Sequence, residues 1–306
     1  MDSVRHFLSV TDLAPSELRE VIARGRALKA GERSQALAGK SIAILFEKPS
    51  LRTKLSFEIG ITRLGGHAIY FSPDEVGLGT REPVQDVARV MSRMADAAII
   101  RSFAHEVLEE FASAATIPVV NALTDAEHPC QALADLQTIE ESKGALEGAR
   151  VAFIGDGNNV AVSLALGMAS TGGHLTIASP PGYELPGKTA SDAGRLNAKS
   201  GGSLRLITDP VEAVRDADIV YTDVWTSMGH EAESQARLAA FKGYQVNPAL
   251  LDKAPDGVRF MHDLPAHPGE EISEGLLTDP RSIAFDQAEN RLHAQAGLLH
   301  FLFSGA

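Results

Sequence analysis

Between residues 41 and 263 the chain alternates short apolar runs with longer stretches of helical periodicity. The runs are SIAILF (41–46), HAIYFS (67–72), AAIIRS (97–102), IPVVNA (117–122), RVAFIG (150–155), HLTIAS (174–179), SLRLIT (203–208), ADIVYTD (217–223) and VRFMHD (258–263). Continuous apolar runs of this length read as strands covered on both faces, and parallel neighbours need a helical crossover between them. The helices expected between them include Thr53–Leu64, Val84–Met94, His105–Ala115, Gln131–Ser142 and a run from Val160 to Ser170. Another opens at Pro15-Ser16-Glu17 and stops at Gly31. The stretch from about Ser227 to Asn247 reads as a long irregular loop, the kind that carries function.

Gly144 and Gly148 interrupt the alternation, which then restarts. The expectation is an α/β protein of two domains, each a parallel sheet with helices on both faces, joined by interdomain helices. The first covers 1–140 and is completed by a C-terminal helix over 286–306; the second covers 141–285. In such folds the active site is expected in the crevice between domains.

Charge and composition exclude several classes. A net charge of −12 leaves no basic stripe for nucleic acid, and it requires that an anionic substrate meet a local cationic pocket. The single cysteine, Cys130, cannot pair within the chain, which fits a reducing compartment. No segment approaches the roughly 18 apolar residues of a membrane span, and MDSVRHFLSVTDLAPSE lacks a signal-peptide core. The expectation is a soluble, cytoplasmic protein.

Chemistry concentrates where strands end and helices begin. Ser50-Leu51-Arg52-Thr53-Lys54 follows the first strand and Pro49. Helix-start N–H groups, two hydroxyls and two cations describe an oxyanion or phosphate cradle. An ordinary N-cap with solvated charges fits the same spacing. The stretch lacks GxxxxGK[ST], so it is not a nucleotide P-loop. Arg101 ends the run AAIIR, facing either the crevice or a surface ion-pair partner. Pro129 marks a helix start. That puts His128 at the N-cap, where the helix dipole keeps an imidazole neutral, as a hydrogen-bond donor or simply a cap. Cys130 reads as a packed thiol rather than a nucleophile. GDGNN (155–159) breaks the GxGxxG spacing and is weak evidence for a dinucleotide; its asparagines suit a small polar ligand. Asp223, before Trp225 and Ser227-Met228-Gly229, suits an ammonium group under a loop that closes, or a turn carboxylate. No spacing resembles a metal site or a nucleophile elbow.

The motifs SxRTxxSFE (50–58), HPxQ (128–131), GDGNN (155–159), DxWxSMG (223–229), HxLPA (262–266) and ENRxH (289–293) occur in a telling order. In order and spacing they resemble the aspartate/ornithine carbamoyltransferase family, and the SMG loop is similar to its ornithine-specific members. The resemblance covers nearly the whole chain. It implies transfer of a carbamoyl group from carbamoyl phosphate to the δ-amine of L-ornithine, giving L-citrulline and phosphate in arginine biosynthesis. It implies no cofactor and no metal, and a homotrimer or a multiple of trimers. By matching motif, Ser50, Leu51, Arg52, Thr53 and Lys54 would hold the phosphate. Arg101, His128, Gln131 and Arg291 would contact the carbamoyl group or phosphate. Asn159, Asp223, Ser227 and Met228 would bind ornithine, with Asp263 and Leu264 beside the carbamoyl nitrogen. Arg52, Arg101, His128 and Asp263 would be the catalytic set.

Three motifs depart from the family pattern, at four positions. Leu51 and Lys54 replace a hydroxyl and a guanidinium in the usual STRTR, Gly77 stands where many relatives place a polar residue, and Asp263 replaces a cysteine. A carboxylate at 263 raises the pKa of a neighbouring ammonium, so the sequence predicts an alkaline rate optimum. Carbamoyl transfer to another amine, or a non-catalytic binding paralogue, are the alternatives; a nicotinamide oxidoreductase would rest on GDGNN alone.

Overall fold

The computed structural model describes residues 4–226 and 233–304. The chain divides into two compact units, Met1–Gln137 with Glu289–Ala306, and Thr138–Ala288. In unit 1, β1 (Ser41–Phe46), β2 (His67–Phe71), β3 (Ala97–Arg101) and β4 (Val119–Leu123) form a parallel sheet in the order β2-β1-β3-β4. Helices α1 (Pro15–Lys29), α2 (Leu51–Arg63), α3 (Pro73–Val76), α4 (Val84–Met91), α5 (His105–Ala114) and α6 (Pro129–Lys143) connect or follow the strands.

In unit 2, β5 (Arg150–Ile154), β6 (His174–Ala178), β7 (Ser203–Ile207), β8 (Ile219–Thr222) and β9 (Arg259–His262) are parallel in the order β7-β6-β5-β8-β9. Its helices are α7 (Asn159–Thr171), α8 (Gly187–Ser200), α9 (Pro210–Val214), α10 (Ser234–Ala240) and α11 (Pro248–Leu251). A final helix, α12 (Ala284–Ser304), begins in unit 2 and ends in unit 1. No helix among the described residues is long and apolar enough to cross a membrane.

Hydrophobic burial places the strands. Ile42 to Phe46 on β1 are at most 2% exposed, and Ala97 to Ile100 on β3 are fully covered. Each large side chain of this kind contributes about 1.5–3 kcal/mol on burial. The edge strands β2 and β7 are only half covered, and their sequences HAIYF and SLRLI carry polar residues to match. β4 starts later than the apolar run that announced it, because Pro118 has no N–H for the ladder.

The last helix docks where two glycines meet. A Cβ on Gly297 would lie 2.5 Å from the Val21 carbonyl oxygen and 2.8 Å from the Gly25 nitrogen. One on Gly25 would lie 3.0 Å from the His293 carbonyl oxygen. The α12–α1 crossing is therefore closer than any side chain allows, and it brings Arg291 to a fixed place in unit 1.

Two stretches differ from the sequence reading. The expected loop over 227–247 contains α10, whose SQARLAA is rich in helix formers; Ser227 and Met228 lie outside the described residues. Helix α8 was not signalled at all. Its GKTASDAGRLNAKS is amphipathic but has Leu196 as its one large apolar residue, and buries only Thr189 and Ala193.

Candidate active site

Both sheets reverse their strand order at one point, between β1 and β3 in unit 1 and between β5 and β8 in unit 2. Ligands of open α/β sheets bind outside the carboxyl ends of strands at such points. Each unit collects its chemistry-bearing residues there.

In unit 1, Ser50 is the N-cap of α2. Its Oγ accepts from the Thr53 N–H at 3.3 Å and donates to Thr53 Oγ1 at 2.8 Å. The same buried hydroxyl receives a hydrogen bond from Nη2 of Arg291 on α12. Arg101 is the last residue of β3, and His128 stands directly before Pro129, which opens α6. Arg101, His128 and Arg291 are 8%, 1% and 3% exposed, and Arg52 is half-buried. Burial first, and then the charges of Arg291, Arg101 and Arg52, hold the His128 imidazole well below its usual range. His128 is thus neutral at physiological pH, as the N-cap position suggested. Three guanidiniums around one neutral imidazole form the local cationic pocket that a chain of net charge −12 needs for an anion.

Gln131 donates from Nε2 to Asp135 Oδ1 at 2.8 Å. Its Oε1 and the Nε of Arg52 are buried without a hydrogen-bond partner among the described residues, so both retain capacity for a ligand. Two expected cradle residues stand apart. Leu51 is 76% exposed, so only its backbone serves the helix start. Lys54 lies over the Tyr70 ring, Nζ 3.6 Å from the centroid, and 3.9 Å from Glu58. The aromatic face and the carboxylate one turn along α2 give that cation partners of its own.

Cys130 is fully buried, its Sγ donates to the Asn121 carbonyl at 3.2 Å, and burial pushes its thiol up to about 12. A thiol is reactive only as thiolate. The native protein should therefore resist iodoacetamide and become alkylated only on unfolding, as mass spectrometry would record. Rapid stoichiometric labelling of folded protein would contradict this.

In unit 2, Asn158 is the N-cap of α7, accepting from the Val160 and Ala161 N–H groups at 3.0 and 3.1 Å. Its Nδ2 donates to Asp223 Oδ2 at 2.8 Å, and the Val224 N–H donates to Asp223 Oδ1 at 2.7 Å. Asn159, expected to hold ligand, is the half-buried first residue of α7. Gly157 is required because the 184–185 backbone passes over it: a Cβ would sit 2.4 Å from the Leu185 nitrogen. Gly157 of GDGNN thus serves packing, which needs no dinucleotide to explain it.

Asp263 lies beside Asp223, with one oxygen of each carboxyl within 4.8 Å of the other, a proximity that no local sequence pattern signals. Burial, then the Asp263 carboxyl, pushes Asp223 well above the usual carboxylate range, against weaker pulls from His262 and Asn158. His262 is fixed from both sides. Its Nδ1 accepts from the Leu264 N–H at 2.9 Å, and Nε2 faces Glu271 Oε1 at 3.1 Å. Glu271 also accepts from the His267 N–H at 2.5 Å. Leu264 takes a positive φ of 63°, rare for a non-glycine, so this anchoring shapes the turn that carries Asp263. Sequence reasoning missed Glu271 and the ion pair of Asp156 with Arg237 at 2.6 Å, whose guanidinium also donates to the Trp225 carbonyl. Neither has a local sequence signature. Asn158 did have one, an Asn before an apolar helical run.

The fold and these two sets of residues define a two-unit α/β protein, with buried arginines gathered in unit 1 and buried carboxyls gathered in unit 2. The first match is to the family model for the aspartate/ornithine carbamoyltransferase carbamoyl-P binding domain, over residues 5–141. The Asp/Orn binding domain of the same family matches residues 147–302. The chain belongs to the aspartate/ornithine carbamoyltransferase family. It is 52% identical, over 99% of both chains, to the anabolic ornithine carbamoyltransferase of Pseudomonas aeruginosa. The solved ornithine carbamoyltransferase of Pyrococcus furiosus superposes with a TM-score of 0.95 at 44% identity, covering 99% of this chain and 98% of that one. A crystal structure of acetylornithine transcarbamylase complexed with acetylcitrulline is more distant, at 30% identity and a TM-score of 0.88 over 98% and 99% of the two chains.

Proposed function

We propose that the protein transfers the carbamoyl group of carbamoyl phosphate to the δ-amine of L-ornithine, giving L-citrulline and phosphate. The observation that carries this reading is the group of Arg52, Arg101 and Arg291 around neutral His128, inside the residues matched by the carbamoyl-P binding domain. The amine attacks the carbamoyl carbon, the bond from that carbon to the phosphate oxygen breaks, and phosphate leaves. Negative charge grows on the carbamoyl oxygen and on the leaving group. Fixed donors that meet growing charge are the largest single contribution in acyl transfer. Arg52, Arg101, Arg291 and the Ser50–Thr53 helix start supply such donors. Neutral His128 and Gln131 hydrogen-bond the carbamoyl group without adding charge.

Unit 2 supplies the other half. Asp223, anchored by Asn158 and the Val224 N–H, pairs with the α-ammonium of ornithine. Asn159, Ser227 and Met228 complete the amino-acid contacts, and Asp263 and Leu264 serve the carbamoyl nitrogen. A blocked α-amine leaves the buried Asp223 carboxylate without its cation, which favours ornithine over an acetylated relative. The family supports a homotrimer, or a multiple of trimers, working in the cytoplasm. Initial rates of carbamoyl transfer from carbamoyl phosphate across ornithine, N-acetylornithine, aspartate, lysine and putrescine test the reading. Ornithine should be used with the highest kcat/KM. Preference for another amine, or no transfer to any, would overturn it.

A further inference from the structure

Strands β8 and β9 run parallel with Thr222 opposite His262. The next residue of each chain segment is an aspartate, so Asp223 and Asp263 leave the sheet side by side and on the same face. Both are buried, at 6% and 9% exposure. One oxygen from each carboxyl and a ring nitrogen of His262 lie within 4.8 Å of one another. Asp223 already accepts from Asn158 and from the Val224 N–H, and the Asp263 carboxyl stands beside it. Two ionised carboxylates are acceptors only, so a hydrogen bond between them needs a proton. Like charges this close and this buried do not both ionise.

We propose that Asp223 and Asp263 hold one proton between them in the ligand-free protein, and that the α-ammonium group of the amino-acid substrate displaces it. The inference rests on reading unit 2 as the ornithine-binding half. The ammonium keeps its own hydrogens and donates to Asp223. Its charge also offsets the adjacent Asp263, which is freed to accept from the carbamoyl nitrogen, and the displaced proton goes to solvent. The pair changes from one negative charge to two as the ligand brings one positive charge, so the buried net charge stays constant. That exchange makes the pair a selector: a group that is neutral at this position leaves the second carboxyl protonated and gains no ion pair.

The other ionisable groups facing the pair have partners of their own. His262, whose Nδ1 is 3.9 Å from Asp263 Oδ1, accepts from the Leu264 N–H through that nitrogen and faces Glu271 through Nε2. At the end of β5, Asp156 is neutralised by Arg237, and Asn158 carries no charge. Binding should therefore tighten about tenfold per pH unit until the free pair loses its proton, the slope for release of one proton.

Norvaline, an α-amino acid without a δ-amine, binds without reacting and is the probe. It is titrated calorimetrically into the full-length protein with carbamoyl phosphate present, at neutral pH, in buffers of different ionisation enthalpy. The expected result is release of close to one proton per norvaline, with loss of a protonated-carboxyl C=O band in the infrared difference spectrum. Asp263→Asn, whose amide donates the same hydrogen bond to Asp223, should abolish both signals. If that variant does not fold, the proton count and the band in the unaltered protein decide alone. Norvaline binding with no proton release and no band change would overturn the shared proton and leave the amino-acid reading intact. Failure of both norvaline and ornithine to bind from neutral to alkaline pH would overturn the reading of unit 2 and the shared-proton exchange with it.

Discussion

Arg52→Ala should lower citrulline formation by at least ~100-fold, the loss seen when one donor to a developing oxyanion or leaving group is removed. The protein should remain folded, because Arg52 is only half-buried at the first turn of α2 and its Nε has no partner among the described residues. Its charge is one of the three that bear on His128. Removing it lowers the positive potential where the phosphate is proposed to leave, without opening a cavity in the sheet. Thermal unfolding and initial rates, measured together, check both halves. Lys54→Ala is the contrast. Its ammonium rests on Tyr70 rather than with the arginines, so turnover should fall far less. Near-normal turnover in folded Arg52→Ala would exclude the phosphate cradle, and equal losses in the two variants would show that the Tyr70 contact does not sequester Lys54.

The second large effect is expected at Asp223. Asp223→Asn should raise the KM for ornithine by at least ~30-fold, the lower end of the 2–5 kcal/mol lost when one partner of a buried charge pair is truncated. Thermal stabilisation by carbamoyl phosphate should stay as it is, because the arginine group belongs to the other unit. The reason for the size of the effect is anchoring: Asn158, itself fixed as the cap of α7, and the Val224 N–H hold both oxygens of the carboxyl. A carboxylate held in this way loses little entropy when a cation arrives. Equal losses for ornithine and carbamoyl phosphate would instead mark Asp223 as a structural residue. The alkaline optimum read from the sequence also takes a different cause. It was argued from an ionised Asp263 beside the attacking amine, whereas the structure gives that carboxyl to Asp223 first.

The strands and the strand-end motifs were legible because their causes are local. A strand covered on both faces must be a continuous apolar run, and β1, β3 and β5 begin where their runs begin. A helix start announces itself by its cap, as Ser50 and Asn158 do. The sequence by itself therefore determined two parallel α/β sheets and the capped helix starts at Ser50 and Asn158. Burial and three arginines distant in sequence, by contrast, fix the neutral state of His128. Family resemblance added which substrates such motifs serve. What only the tertiary structure decided is which distant residues share a place. Lys54 was assigned to the cradle on proximity in sequence, but the edge strand β2 offers it Tyr70. Glu271 reaches His262, and Arg237 reaches Asp156, across stretches of chain that carry no shared pattern. Helix α8 forms with few large apolar residues of its own, because α7 gives it a surface to pack on. Asp223 and Asp263 are neighbours only because β8 and β9 pair in register. Strand order and register are set by how whole sheets bury their faces, a sum over many residues, and so no short stretch of sequence records them.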